Sequence, residues 1–109
     1  MSYDDALAGR VLAAVEDLAD VTTRKMFGGL AVMWHGNMLV GIVHDDLMVR
    51  VGAEQFASLL SESGAREMDF TGRPSRSMLY VAAEAVERDA DLDMWIDRAR
   101  RFVATLPPK

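Results

Sequence analysis

"TTRKMFGGLAVMWHGNMLVGIVHDDLMVRV", residues 22–51, is the stretch of this 109-residue chain that decides the fold. It is rich in β-branched, aromatic and other apolar residues, and turn-forming groups interrupt it at His35–Asn37 and His44–Asp46. The pattern predicts one strand up to Trp34, a second over Met38–Val43 and a third over Leu47–Val51. Because the connections are short, neighbouring strands should be antiparallel.

Helical patterns lie on both sides of this stretch. Apolar residues recur at helical spacing between Asp4 and Ala19, where Ser2 and Asp5 resemble a capping box. "AEQFASLLSESG", residues 53–64, predicts a second, shorter helix that ends towards Gly64.

The rest of the chain predicts two more strands and a final helix. The strands cover about Arg66–Phe70 and Ser77–Ala82, and the loop "TGRPSR" joins them. The last helix should begin near Asp89 as its N-cap, carry Trp95 and Phe102 on its apolar stripe, and stop before the two final prolines. The order α-β(3)-α-β(2)-α predicts one α+β domain over residues 1–109, with two layers and helices on one face of an antiparallel sheet.

Composition excludes several classes of protein. The chain has no cysteine, which excludes a disulfide framework and thiolate metal sites. Its net charge of -5 disfavours attraction to nucleic acid, so we expect no direct nucleic-acid binding. The acidic N-terminus does not resemble a signal peptide, and no apolar run reaches the ~20 residues of a membrane helix. We therefore expect a soluble cytoplasmic protein without a membrane partner.

Both faces of the predicted central strands are apolar. Met38, Val40 and Ile42 share one face of their strand, while Leu39 and Val43 share the other. A sheet with one wet face should alternate apolar with polar residues, so something should cover the second face. Either the chain's own helix or loop covers it, or a protein partner does, most simply a second copy in a homodimer.

The chain shows no pattern that predicts catalysis, a cofactor or a metal ion. His35 and His44 lie at opposite ends of one predicted strand, about 30 Å apart, so they cannot share a metal within one chain. Both are predicted as solvated turn residues. Because no nucleophile and base stand in a recognisable arrangement, we expect no enzyme, no catalytic residue and no cofactor.

Four cations suggest a hypothetical anion site. Arg24 and Lys25 begin the first predicted strand, and Arg73 and Arg76 lie in the later loop. If the sheet brought them together, they could hold a carboxylate or a phosphate. The alternative is that they are scattered surface charges.

The motifs "RKMFGG", "HGNM", "DLMVR", "GRP" and "SMLY", followed by an Asp, a Leu and a Trp of the last helix, together resemble the N-terminal domain of the TfoX (Sxy) family. The resemblance covers about Thr22 to Val103. The matching residues are Met26, Phe27, Gly28, Gly29, Gly36, Met38, Asp46, Leu47, Arg50, Gly72, Arg73, Pro74, Met78, Tyr80, Asp89, Leu92 and Trp95.

The resemblance implies a fold similar to that of secretion chaperones, with helix, three strands, helix, two strands, helix. The named members of the family regulate natural competence in bacteria and carry a second, C-terminal domain, which we expect this chain to lack. The resemblance assigns no catalytic residues.

This implied fold bears on the motif Met26, Phe27, Gly28 and Gly29. Taken locally, Gly28-Gly29 is a hairpin signal. The three-strand fold instead implies one bent strand over about Arg24–Trp34, with the glycines at a bulge, and we favour the bend.

We therefore expect a small non-enzymatic regulatory or protein-interaction module that forms a homodimer. The resemblance links it to competence or transcription only through the family. The alternative is a binding module for a small anionic ligand.

Overall fold

The elements follow the predicted order, with one more strand before the second helix. A computed structural model describes residues 3–26, 28–67 and 77–109. The described helices are α1 (Asp5–Ala14), α2 (Ala53–Leu60), a 3-10 helix (Ala83–Val86) and α3 (Asp89–Val103). The described strands are β1 (Val21–Met26), β2 (Gly29–Trp34), β3 (Asn37–Val43), β4 (Asp46–Arg50), β5 (Ala65–Glu67) and β6 (Met78–Val81).

The strands form one antiparallel sheet in the order β1-β2-β3-β4-β6-β5. Strands β1 to β4 follow one another as hairpins, because two-residue loops bring each strand back beside the one before it. Strand β6 then pairs with β4, and β5 lies outside β6. Strands β1 and β5 are therefore the two edges of the described sheet.

The stretch Arg24–Trp34 is a hairpin, so the prediction of one long bent strand is wrong. Met26 at the end of β1 pairs with Gly29 at the start of β2. Gly28 lies in the turn between them with a φ of 72°, the left-handed region that glycine enters without strain. The local hairpin signal was correct, and four strands rather than three precede α2.

The two predicted turns are confirmed. His35 and Gly36 both have positive φ, 52° and 81°, as in the type I′ turns that match the twist of a hairpin. His44 has a φ of 55° in the loop between β3 and β4.

The helices pack on one face of the sheet, which confirms the predicted two-layer α+β fold. Trp95 of α3 and Val11 of α1 lie in the same buried cluster as the helix-facing side chains of the central strands. The strand residues of this cluster include Leu30, Val32, Leu39, Val40, Ile42, Leu47, Val49, Leu79 and Val81.

Helix α1 begins close to the predicted position but ends earlier than predicted. Its N-cap is Asp4, whose side chain accepts hydrogen bonds from the backbone N–H groups of Ala6 and Leu7 at 2.9 and 3.2 Å. Ser2, the predicted cap, lies outside the described residues. The helix ends at Ala14 rather than Ala19, because Val15 leaves the helical conformation while staying buried.

Helix α3 begins close to the predicted position. Its N-cap is Arg88 rather than the predicted Asp89, which is the first helical residue. The strand predicted over Ser77–Ala82 is shorter and covers Met78–Val81. The strand predicted over about Arg66–Phe70 corresponds to β5, and residues 68–70 lie outside the described residues.

Arg10 connects α1 to the 3-10 helix and α3. Its Nη2 donates to the carbonyl oxygens of Val86 and Glu87 at 2.8 and 3.0 Å and to the Asp89 carboxylate at 3.1 Å. One guanidinium thereby satisfies several acceptors at the end of the 3-10 helix. Within the described residues, none of the helices is long and apolar enough to cross a bilayer.

Candidate interaction site

Of the four cations of the predicted anion site, two lie within the described residues. Arg24 and Lys25 lie exposed on β1, and Arg73 and Arg76 lie outside the described residues. Because side chains alternate along a strand, Arg24 and Lys25 point to opposite faces of the sheet. Strand β6, which follows the 68–76 segment, is about 19 Å from β1 at ~4.8 Å per strand. The four-residue anion site stays a prediction.

A double substitution tests the cationic pair on β1. We expect Arg24→Ala with Lys25→Ala to change the free energy of unfolding by less than about 0.5 kcal/mol, because both side chains are exposed. Thermal-shift measurements of the unchanged chain with phosphate and small carboxylates provide the second readout. An anion that raises the melting temperature of the unchanged chain but not of the double variant would establish the anion site.

The outer side of β1 presents an open backbone edge. Within the described part of the chain, β1 pairs on one side only, with β2. Hydrogen bonding alternates along an antiparallel pair, and the closing pair of a two-residue hairpin, here Met26 and Gly29, is hydrogen-bonded. By this alternation, Arg24 and Thr22 also bond inwards to β2.

A backbone hydrogen bond just outside β1 and β2 agrees with this alternation. The His35 N–H donates to the Asp20 carbonyl at 3.2 Å, so the even-numbered residues of this segment bond towards β2. The N–H and C=O groups of Val21, Thr23 and Lys25 therefore point away from the sheet. We call these three residues the open edge.

The sheet face opposite the helices carries a small apolar cluster. Val43 and Met48 are buried there, and three partly buried residues pack around them: Met38, Met78 and Tyr80. Both faces of β3 carry apolar residues, as predicted, but the predicted faces of Met38 and Leu39 are wrong. Met38 packs with Val43 on this face, and Leu39 lies in the helix-side core, because the register between β2 and β3 shifts at Val32/Met33. Among the described residues, the exposed large hydrophobic side chains are Leu12 and Met94, which lie on helices. The described part of the second face is therefore not an extended exposed apolar surface.

An ion pair borders this cluster at the other edge of the sheet. Arg66 of β5 donates to both carboxylate oxygens of Asp46, at 2.5 and 3.3 Å. Its guanidinium lies 4.9 Å from the centre of the Tyr80 ring. The hydrogen bond with Asp46 raises the pKa of Arg66, and burial raises the pKa of Tyr80. The contacts hold β5 against β6 and β4.

The two histidines lie in the turns at opposite ends of β3, as predicted. His35 Nδ1 is 3.2 Å from the Asp20 carboxylate, and the His35 carbonyl accepts from the Lys109 N–H at 2.8 Å. His44 is exposed. No group of three or more metal-ligating side chains occurs within residues 3–26, 28–67 and 77–109.

Two shallow grooves lie on the helix layer. One, about 470 Å³, is between the start of α2 and the end of α3, and Phe102 and Arg101 line it. The other, about 440 Å³, is between the end of α1 and α3, and Asp93 and Asp97 line it. The hydrogen bond with Arg100 lowers the pKa of Asp97, which is thereby engaged in the helix itself.

The open edge was not predicted from the sequence as a site. The signal was the run Thr22–Lys25, four polar residues in an otherwise apolar stretch, which is typical of a strand at the edge of a sheet.

Comparison with known proteins identifies the family to which the chain belongs. No curated protein matches the chain, and no solved structure matches it. The model of the family described as "TfoX N-terminal domain" matches residues 13–103, which include all six strands of the described sheet and α3. The chain belongs to the TfoX N-terminal domain family.

Proposed function

We propose that this chain is a small non-enzymatic regulatory module that acts by binding other proteins, first of all a second copy of itself. The open edge of β1 carries the proposal. Three residues there direct N–H and C=O groups away from the sheet, where no strand of the described part of the chain pairs with them, and an added strand is the usual partner of such an edge. The proposal assigns no catalytic residue and no cofactor.

The arrangement of charges supports this proposal over a catalytic one. Three carboxylates among the described residues join neighbouring elements: Asp89 binds Arg10 of α1, Asp46 binds Arg66 of β5, and Glu62 binds Arg98 of α3. These pairs stabilise contacts between elements rather than converge on a cleft. A binding role needs no such convergence.

The family and the composition support a proposal for the biological setting. We place the module in the bacterial cytoplasm, in a regulatory process related to competence or transcription. The family resemblance supports the process, and the absence of cysteine agrees with a reducing compartment.

Sedimentation velocity tests the proposed self-association. We expect the chain to sediment as a dimer at micromolar concentration and to stay a dimer in high salt, because main-chain hydrogen bonds are less sensitive to screening than exposed ion pairs. A species that sediments as a monomer throughout the micromolar range would contradict the homodimer.

A further inference from the structure

We propose that two copies of the chain join through β1, antiparallel, about a two-fold axis at Thr23, so that the two sheets become one. The inference rests on the proposed self-association and names the surface and the register that carry it. The backbone pattern of β1, the positions of its charged residues and the exposure of its side chains all support this contact.

The open edge is complementary to itself. A two-fold axis perpendicular to the sheet places Thr23 opposite Thr23 of the second copy, and Val21 opposite Lys25 in both directions. These are the residues whose backbone groups point outwards, and directly opposite residues of this kind exchange two hydrogen bonds in an antiparallel pair. Each outward N–H and C=O of both open edges then has a partner.

The charges of β1 also fit this register. Arg24 faces Thr22 of the second copy, and Lys25 faces Val21, so no two cations stand directly opposite each other. Like charges placed directly opposite each other destabilise a strand pair. In this register each cation faces an uncharged residue instead.

The neighbouring registers are poorer. A shift of two residues in one direction places Arg24 directly opposite Arg24. A shift of two residues in the other direction places Lys25 opposite the residue that precedes Asp20 in the second copy. Asp20 has a φ of 60° and ends the strand there, so Lys25 would have no strand residue to pair with. The cations and the left-handed Asp20 therefore select the register centred on Thr23.

The helix layer leaves room for this contact. The Thr22, Thr23, Arg24 and Lys25 side chains are all exposed, so none of the described helices covers this part of β1 on either face. The perpendicular two-fold axis places both helix layers on the same side of the joined sheet. The opposite edge is less suited, because Arg66 of β5 is engaged with Asp46 and lies against the Tyr80 ring.

A single introduced thiol tests the contact directly, because the chain contains no cysteine. In the proposed register the two Thr23 Cα atoms are about 5.5 Å apart, within the range of a disulfide. We expect Thr23→Cys to form a covalent dimer rapidly under mild oxidation. Thr105→Cys, at an exposed position after α3, is the matched control and should form covalent dimers only slowly.

Arg24→Cys distinguishes the register. In the proposed pairing, the two Arg24 positions are diagonal neighbours at roughly 7–8 Å, so this variant should cross-link much more slowly than Thr23→Cys. If Arg24→Cys cross-links faster, the register centred on Thr23 is wrong.

Proline variants provide a test without oxidation. The Thr23 N–H points to solvent in the single chain, so Thr23→Pro should leave a folded chain that sediments as a monomer. Thr22→Pro removes an N–H that bonds to β2 and should lower the melting temperature instead. A folded Thr23→Pro chain that remains dimeric would overturn the inference.

The outcomes separate the inference from the proposed function. If the unchanged chain is a dimer but Thr23→Cys cross-links no faster than Thr105→Cys, self-association stands and the β1 contact is wrong. If the unchanged chain is a monomer at micromolar concentration, both are wrong.

Discussion

Replacing Trp95 by alanine is expected to lower the free energy of unfolding by about 3–5 kcal/mol. Trp95 is 2% exposed and lies in the core cluster between α3 and the sheet. Its removal leaves a cavity that the neighbouring β-strands cannot close, because their backbones are held by hydrogen bonds on both sides. Since domains of this kind hold only about 5–15 kcal/mol, much of the stability should be lost.

Met94→Ala is the matched control for this substitution. Met94 is the neighbouring residue on α3 but is 39% exposed, so truncating it should cost much less. Both free energies can be measured by urea denaturation. Arg98, whose guanidinium is 4.6 Å from the centre of the Trp95 ring, adds a smaller contribution that the Trp95 variant also removes. Equal losses for the two variants would show that the buried face of α3 is assigned wrongly.

Gly29→Val is expected to have the second large effect, a loss of about 3 kcal/mol in the free energy of unfolding. A Cβ atom at Gly29 would lie 2.2 Å from the carbonyl oxygen of Ile42 and 2.8 Å from Cγ2 of Val43. The first contact is with backbone in the middle of the sheet, which cannot move without opening the pairing of β2 with β3. Even Gly29→Ala should therefore destabilise the chain strongly.

Gly28 provides the comparison, because its constraint is of another kind. Gly28 is exposed, and its φ of 72° disfavours a β-branched residue by roughly 1–2 kcal/mol. Gly28→Asn should cost less than Gly28→Val, since asparagine enters the left-handed region more readily. If Gly28→Asn and Gly28→Val are equally destabilised in urea, or Gly29→Ala is tolerated, the hairpin between β1 and β2 does not have this geometry.

Gly28 and Gly29 differ in how far their roles could be predicted from the sequence. The pair Gly28-Gly29 is a local hairpin signal, which the structure confirms, and the bent strand implied by the three-strand fold is wrong. The local signal was correct because a two-residue loop needs only the conformation of its own residues. Gly29, by contrast, is required by a neighbouring strand, and nothing adjacent in the sequence indicates the close approach of Ile42.

The candidate site was predictable only in part. Arg24 and Lys25 lie on the first strand as predicted, but β1 begins at Val21, so they lie near its end rather than at its beginning. Whether they form one cluster with Arg73 and Arg76 depends on the order of the strands. The alternation of side chains places Arg24 and Lys25 on opposite faces. The ion pair of Asp46 with Arg66 was not predicted, because it joins strands separated by α2 along the chain.

The α+β class, the three helices, the turns at His35–Asn37 and His44–Asp46 and the apolar character of the central strands could all be predicted from the order of the residues. These features follow from the period of the apolar residues and from turn chemistry, both of which act over a few neighbouring residues. The folded chain was needed to show that β6 pairs with β4 and that β5 and β1 are the two edges of the described sheet. Strand order depends on which distant segments bury their faces together against the helices, and that choice is a property of the whole core rather than of any local stretch.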